Sequence, residues 1–240
     1  MAKRAQRRVL PGRGPAGASA LRRARRFEVL SEAALIGVGA CLALAVTAGP
    51  GITGLTSFAL GLMLSVLARG RLGRARSHRR GGEGEQRVGA SLASLRREGW
   101  VIAHDLPKPS GGNVDHVAAG PSSNLFTIET KLSRFGRAEL AQAHGHARWA
   151  QRHFEVDAVV AVLCVADGRA RPRLYAGVWC MGAPSLVGFL RRFPGGGVDV
   201  VQVRRQLDRS APAVAPAWPR DKGQHSPLSG GGSTKALLPE

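Results

Sequence analysis

The sequence has only three cysteines, Cys41, Cys164 and Cys180, and no two of them have the CxxC spacing of a zinc or redox site. An odd number of widely spaced cysteines gives no disulfide framework, so we interpret all three as reduced, small apolar residues. The chain also lacks the GxxxxGKS/T phosphate-binding loop and the GxSxG elbow of serine hydrolases. These absences exclude several common enzyme classes and fit a cytoplasmic domain.

Acidic residues are scarce at the start of the chain. Residues 1–80 contain fifteen Lys and Arg against two acids, Glu28 and Glu32, which is a balance of +13 out of a total of +19. Residues 81–240 therefore carry only +6. Because the excess lies on both sides of an apolar stretch, it favours a membrane-flanking role before a general nucleic-acid-binding role.

Charge is missing altogether from residues 33–68, which form two apolar arms joined by Gly49-Pro50-Gly51. Each arm would be roughly 25 Å long as a helix, close to the roughly 30 Å of a bilayer core. The Gly-Pro-Gly sequence would interrupt a helix, so we predict a transmembrane helical hairpin over residues 31–68. Since both outer flanks are basic, the positive-inside rule places both ends in the cytoplasm.

Two alternatives to this hairpin are a buried helical hairpin of a soluble protein and a single tilted span with a re-entrant remainder. The uncharged stretch is long for a domain of this size to bury, which argues against the first. We predict a basic, disordered N-terminus at residues 1–30 and a basic juxtamembrane linker at residues 69–80. The arginines of the linker suit anionic lipid, and non-specific contact with nucleic acid is a compatible second role.

From residue 81 onward the sequence has the patterns of a globular domain. Helices are predicted at residues 83–97, 137–153 and 183–193. Strands are predicted at residues 100–103, 114–119, 125–132, 158–165 and 173–178. This order predicts an α/β domain with a mixed sheet flanked by helices over residues 81–207. A tail rich in Pro, Gly and Ser follows at residues 208–240 and is predicted to be disordered.

The candidate chemistry lies on two predicted strands that form a hairpin. Residues i and i+2 of a strand face the same side, so Glu129 and Lys131 point together, and a hairpin register can place Asp115 beside Glu129. Two carboxylates at the end of a sheet suit Mg²⁺ or Mn²⁺, and Lys131 can orient or activate a water or stabilise charge on a phosphate. The flanking helices add a third carboxylate, Glu85, and an amide, Gln142, that can orient water or phosphate.

On spacing alone, Glu129 and Lys131 are more typical of a solvated surface that carries a Glu–Lys pair. The surrounding residues favour a functional site instead, because Asp115 and Glu129 lie in otherwise apolar strands. A carboxylate in such a place is costly unless it is paired or bound to a metal.

The histidines give a weaker signal than the carboxylates. His144 and His146 are two residues apart on a predicted helix and cannot share one face, so we predict no zinc pair there. His116 follows Asp115 and points to the opposite side of the strand, so we interpret it as a structural donor rather than a metal ligand.

Several of these residues form a motif that resembles a known family. In chain order it comprises GGEGE at residues 81–85, GNVDHV at residues 112–117, FTIETK at residues 126–131 and Gln142. This set resembles the NERD (nuclease-related) domain, a family similar to the PD-(D/E)xK restriction-endonuclease-like fold. The resemblance covers about residues 80–200, and the joint motif is much more specific than any of its parts.

The resemblance implies a restriction-endonuclease-like sheet and metal-dependent cleavage of phosphodiester bonds. It implies that Asp115, Glu129 and Glu85 bind the metal. It also implies that Lys131 and Glu85 are catalytic, with Gln142 in an accessory role.

We therefore predict a membrane-anchored protein whose C-terminal domain acts on DNA or RNA in the cytoplasm with Mg²⁺ or Mn²⁺. Its partners would be nucleic acid, the cell membrane through residues 33–68, and anionic lipid through the basic flanks. One alternative is a non-catalytic, membrane-tethered module on the same fold that binds nucleic acid or protein. In a third hypothesis the basic flanks are the functional part and recruit DNA to the membrane.

Overall fold

A computed structural model describes residues 15–209 of the chain. Its helices are α1 (Ala18–Ala48), α2 (Ile52–Leu92), a 3-10 helix (Ala93–Glu98), α3 (Arg137–Phe154), α4 (Ala183–Arg192) and α5 (Val200–Arg209). Its strands are β1 (Val101–Pro107), β2 (Asn113–Ala119), β3 (Leu125–Lys131), β4 (Val160–Val165), β5 (Arg173–Tyr175) and β6 (Val178–Gly182). Residues 1–14 of the predicted basic N-terminus and residues 210–240 of the predicted tail lie outside the described residues.

The first two helices pack side by side as an antiparallel pair. Helix α1 ends at Ala48, the next residue Gly49 has a φ of 67° that interrupts the helix, and α2 begins at Ile52. Both helices are long and apolar enough to cross a membrane, and only 11% and 22% of their most apolar windows are buried within the protein. A core helix of a soluble protein would be mostly buried, so these exposed apolar faces favour the membrane hairpin over the soluble alternative.

Small side chains form the contact between α1 and α2. On α2 the buried positions recur every seven residues, at Gly54, Gly61, Ala68, Ala75 and Gly82. On α1 the buried positions are Ala18, Ala20, Ala24, Ser31 and Ala34. Small residues let two helix backbones approach closely, which is how helices associate inside a membrane. The seven-residue period is typical of a left-handed helix pair.

Both helices extend beyond the apolar arms, and this corrects two of the predicted segments. Residues 18–30 are helical, so the prediction of a disordered segment up to residue 30 is wrong for this part. Residues 69–80 are the middle of α2 rather than a separate linker. The glycines and arginines of these segments favoured irregular structure, but packing between the two helices outweighs such local preferences.

The helical pair leads into a six-stranded sheet with the strand order β1-β2-β3-β4-β6-β5. Strands β1, β2 and β3 pair antiparallel, β3 with β4 and β4 with β6 pair parallel, and β5 pairs antiparallel with β6. Helices α2 and α4 cover one face of the sheet, while α3 and α5 cover the other. The predicted α/β fold with a mixed sheet flanked by helices is confirmed.

Alternation along β3 explains why the core has two halves. Phe126 and Ile128 are fully buried on the α2 side, where they join the same cluster as Val88. Leu125 is buried on the other side with Phe154 of α3. A strand buried on both faces is among the most rigid parts of a domain, so residues at its end are held in fixed positions.

Two elements at the end of the domain differ from the prediction. The predicted strand over residues 173–178 is two strands, because Ala176 and Gly177 have φ angles of 45° and 79° and form the tight turn of a hairpin. Helix α5 was not predicted. Its residues Val203 and Leu207, one turn apart, are both buried against the sheet. The helix continues to Arg209, so the first two residues of the predicted tail are helical.

The close packing of α1 on α2 predicts a specific crosslink. A Cβ built on Gly61 would lie 3.3 Å from the Cβ of Cys41, near the spacing of about 3.5–4.5 Å found in disulfides. We expect the Gly61→Cys variant to lose two of its four thiols on mild oxidation, measured by maleimide-polyethylene-glycol labelling after denaturation. Gly73→Cys, where a Cβ meets no neighbour within 4 Å, should keep all four. Equal labelling of both variants would show that the helices do not pack this way.

Candidate functional site

The β2–β3 hairpin brings two carboxylates together. In its antiparallel register His116 lies opposite Ile128, so Asp115 and Glu129 are the next neighbours toward the end of the pair. The carboxylate of Asp115 accepts a hydrogen bond from the backbone N–H of Thr130, with 2.7 Å between Oδ2 and N. This bond ties the carboxylate to the end of β3.

Lys131 connects β3 with helix α3. Its Nζ lies 2.8 Å from Oε1 of Glu129 and donates a second hydrogen bond to Oε1 of Gln142 at 3.1 Å. Strand alternation places Glu129 and Lys131 on the same side, while Thr130 between them faces Gly84 of α2. The ammonium group is therefore held between a strand carboxylate and a helix amide.

Helix α2 supplies the third carboxylate, Glu85. Val88, one turn further along, is fully buried in the core and fixes this face of α2 against the sheet. The approach is close at Gly84, where an added Cβ would lie 3.3 Å from the Cβ of Ala166. Half-buried Glu85 is thereby held at the end of the sheet, beside the strand carboxylates.

His146 is a fourth polar member of the site that sequence patterns did not identify. Its Nδ1 lies 3.0 Å from Oε2 of Glu129, and the two side chains are only 2% and 3% exposed. The available signal was its position four residues after Gln142, which puts both on one face of α3. His144 faces elsewhere, with its Nε2 at 2.5 Å from the carbonyl oxygen of Ala176. His144 and His146 therefore contact different parts of the protein.

All five predicted site residues line one cavity of about 520 Å³. Its walls come from α1, α2, the β1–β2 turn, the ends of β2 and β3, and α3. The side chains that matter for its chemistry are Ser19, Arg23, Glu85, Lys108, Asn113, Asp115, Glu129, Lys131, Gln142 and His146. The cavity at the end of the sheet is thus lined by three carboxylates and three cationic side chains: Glu85, Asp115, Glu129, Arg23, Lys108 and Lys131.

Burial and mutual repulsion raise the pKa of two of the carboxyl groups. The pKa of Asp115 lies well above its ordinary value, because the group is buried and because Glu129 and Glu85 are negatively charged neighbours. The pKa of Glu85 is raised to about 7 by burial, followed by the charges of Asp105 and Glu129. Negative charge is therefore crowded in this cavity.

The pKa values of Glu129 and Lys131 are shifted in the directions that favour their charged forms. Burial alone would raise the pKa of Glu129, but contact with His146 and the charge of Lys131 lower it below its ordinary value. Burial alone would lower the pKa of Lys131, but the charge of Glu129 raises it above its ordinary value. Glu129 is therefore ionised and Lys131 is protonated at neutral pH, and the two form a stable ion pair.

The carboxylates fit a hard divalent cation by their chemistry, although they are not grouped around one point. Within residues 15–209, no three His, Cys, Asp or Glu side chains form a ready metal cluster. Glu129 is occupied by Lys131 and His146, and Asp115 by the backbone of Thr130. Oxygen donors that repel one another in a shared cavity are nevertheless the kind that Mg²⁺ or Mn²⁺ bind. Asp115, Glu129 and Glu85 are the residues that could hold such an ion.

A second histidine pair lies on the other side of β2. His116 is fully buried, and its Nδ1 lies 2.8 Å from Nδ1 of His104 on the neighbouring strand. Burial, and then the proximity of His104, hold the pKa of His116 well below its ordinary value. Its contact with His104 places His116 on the side of β2 that faces away from the carboxylates.

Comparison with known proteins identifies the segment that contains the site. The model of the NERD family, the nuclease-related domain, matches residues 80–165, from the middle of α2 to the end of β4. The match confirms the resemblance and includes Glu85, Asp115, Glu129 and Lys131. Neither the curated proteins nor the solved structures include a match to this chain.

The buried contact between His146 and Glu129 predicts a loss of stability when the imidazole is removed. We expect His146→Leu to destabilise the protein by about 2 kcal/mol, because the buried carboxylate of Glu129 loses the imidazole that lies 3.0 Å from its Oε2. The measurement is thermal or denaturant unfolding of the full chain in detergent, followed by tryptophan fluorescence. In a Glu129→Gln background the same substitution should cost much less. A cost that is equal in both backgrounds would contradict a direct contact between the two side chains.

Proposed function

We propose that this chain is a membrane-anchored nuclease whose domain hydrolyses phosphodiester bonds of DNA or RNA in the cytoplasm with Mg²⁺ or Mn²⁺. The observation that carries the proposal is the convergence of Glu85, Asp115, Glu129 and Lys131 on one cavity within the nuclease-related segment. These groups come from three different elements, so their meeting is a property of the fold rather than of local sequence.

In this proposal Asp115 and Glu129 would hold the metal ion, and Glu85 would bind it directly or through a water. When bound, such an ion polarises a phosphate oxygen and makes a coordinated water more acidic. Glu85 comes from α2 rather than from the hairpin, so it approaches the cavity from a separate wall. Its pKa of about 7 suits a group that accepts a proton from the attacking water at neutral pH.

Lys131 stabilises the negative charge that develops on the phosphate and orients the attacking water. The charge of Glu129 raises the pKa of Lys131, so the amine stays protonated at neutral pH and is unsuited to removing a proton. A fixed ammonium group in a partly buried site is worth much more to a transition state than one in water. Gln142 holds this group in place through its 3.1 Å hydrogen bond.

The same proposal places the apolar arms of α1 and α2 across the membrane and the domain on its cytoplasmic side. The arms contain no charge, and the arginines lie on α1 before its arm and on α2 after its arm. Both groups of arginines are therefore on the same side as the domain. Positive charge is retained on the cytoplasmic side of membrane proteins, and it also attracts anionic lipid.

The proposed chemistry predicts the effect of two substitutions. In the full chain, Asp115→Asn and Lys131→Met should each reduce Mn²⁺- or Mg²⁺-dependent cleavage of plasmid and single-stranded substrates by about 100-fold or more. Asp157→Asn, which removes the same charge from an exposed loop, should retain full activity. Activity that is equal in the wild type and in both site variants would overturn the mechanism.

Calorimetric titration with Mn²⁺ distinguishes the nuclease from a non-catalytic module. Heat that disappears in Asp115→Asn supports the metal site, independently of whether a suitable substrate has been found. A chain that binds nucleic acid or protein without any Mn²⁺ binding at Asp115 and Glu129 would instead be the membrane-tethered binding module.

The orientation of the hairpin is tested by labelling single cysteines in intact cells. Pro50→Cys, in the turn between α1 and α2, should react with a membrane-impermeant maleimide added outside. Arg76→Cys, on α2 beyond its apolar arm, should react only after the cells are opened. The unsubstituted chain gives the background from its three native cysteines. The reverse pattern would place the domain outside the cytoplasm.

A further inference from the structure

One wall of the cavity comes from the membrane helix α1, outside the segment that matches the nuclease-related family. Ser19 and Arg23 line the cavity together with Glu85 and Asp115. They are one helical turn apart, and the guanidinium Nη2 of Arg23 lies 3.5 Å from Oγ of Ser19. The matched segment begins only at residue 80. This wall is therefore supplied by the basic segment before the first apolar arm, which was predicted to bind anionic lipid.

The start of α1 is fixed in place by Asp105 of β1. Oδ2 of Asp105 accepts a hydrogen bond from the backbone N–H of Ser19 at 2.8 Å, and Oδ1 accepts one from the amide of Asn113 at 2.5 Å. The side chain of Asp105 is only 4% exposed. A carboxylate at the first turn of a helix satisfies free N–H groups and is attracted by the helix dipole.

Close packing against α2 also holds this end of α1. Gly17, immediately before the helix, has a φ of 75°, and a Cβ at this position would overlap the carbonyl oxygen of Gly82. Neither the backbone conformation nor the space at Gly17 admits another residue without strain. The direction in which α1 leaves this point, and therefore the position of Arg23, is set by the domain itself.

The charge of Arg23 already acts on the site. It lowers the pKa of Glu85, against the larger effects of burial and of the neighbouring carboxylates that raise it. The side chain remains exposed, so its guanidinium group is accessible from the cavity. Lys131 reaches the cavity from β3 and contacts α3, whereas Arg23 comes from α1. The cavity therefore has cations on separate walls.

We propose that Arg23 is a substrate-binding residue that contacts a backbone phosphate of the nucleic acid, which makes the membrane helix a part of the active site. This inference rests on the proposed function for the class of substrate. A guanidinium group binds phosphate through two parallel hydrogen bonds and keeps its charge at every physiological pH. Arg25, two residues further on, points to the opposite side of α1 and does not line the cavity.

The test uses the full chain in nanodiscs of neutral phosphatidylcholine, with chelator present so that no cleavage occurs. Fluorescence anisotropy of a labelled single-stranded oligonucleotide gives the dissociation constant. We expect Arg23→Gln to weaken binding about tenfold, since one charge-assisted contact is lost. We also expect the slope of log K against log salt concentration to fall by about 0.7. Arg23→Lys should recover part of the affinity.

Arg25→Gln is the matched control, because it removes the same charge from the same helix turn. It should change the dissociation constant by less than about twofold. If both variants weaken oligonucleotide binding equally, α1 contributes only non-specific positive charge and the proposal is overturned. Unchanged binding by Arg23→Gln would overturn it directly, as long as the unfolding temperature shows that the variant is folded.

The outcome is separable from that of the proposed function. A wild type that cleaves with Mn²⁺, together with an Arg23→Gln variant that binds normally, would leave the nuclease intact and remove only the role of Arg23. A wild type that binds the oligonucleotide through Arg23 but never cleaves would support the phosphate contact and overturn hydrolysis. Absence of oligonucleotide binding by the wild type under chelator would overturn the role of Arg23, while cleavage with Mn²⁺ would decide hydrolysis separately.

Discussion

The structure depends on the continuity of helix α2. This single element of 41 residues carries an apolar arm at its start and packs Val88 and Leu92 into the core of the domain at its end. A helix rises about 1.5 Å per residue, so Glu85 lies about 25 Å along the helix from the last residue of the apolar arm. The continuous helix therefore fixes both the distance and the orientation of the domain relative to the apolar hairpin. A flexible linker would have left both undetermined.

Helix α1 runs beside α2 from the apolar arm to the cavity, and this close packing requires small residues along much of α2. Gly61 and Ala68 allow the contact in the apolar part, and Gly82 allows it next to the domain. The same close approach delivers the first turn of α1 to Asp105 and places Arg23 beside Glu85. The apolar hairpin and the site are thus built from one helix pair, and a chain that starts after α1 would lack one wall of its cavity.

Charge is unevenly distributed in the protein. The protein carries a formal charge of +19, yet its cavity gathers three carboxylates whose repulsion raises the pKa of Asp115 and Glu85. Lys131 and His146 offset part of this cost at Glu129, and Arg23 offsets part of it at Glu85. Crowded carboxylates of this kind are kept in proteins where a cation or a reaction uses them. In the proposed function, the basic helices around the cavity attract the polyanionic nucleic acid toward it.

Local sequence patterns predicted the apolar hairpin, the order of most strands and helices, and the carboxylate–lysine motif. These features depend on local periodicity, on Gly-Pro-Gly and on i, i+2 alternation, all of which can be read along one chain. Three contacts could not be predicted in this way: His146 lies against Glu129, Asp105 binds the start of α1, and Arg23 lines the same cavity as Asp115. Those contacts join residues far apart in sequence, and they follow from the packing of α1, α2 and α3 around the end of the sheet. A continuous helix pair, rather than a linker, sets where the apolar hairpin meets the domain.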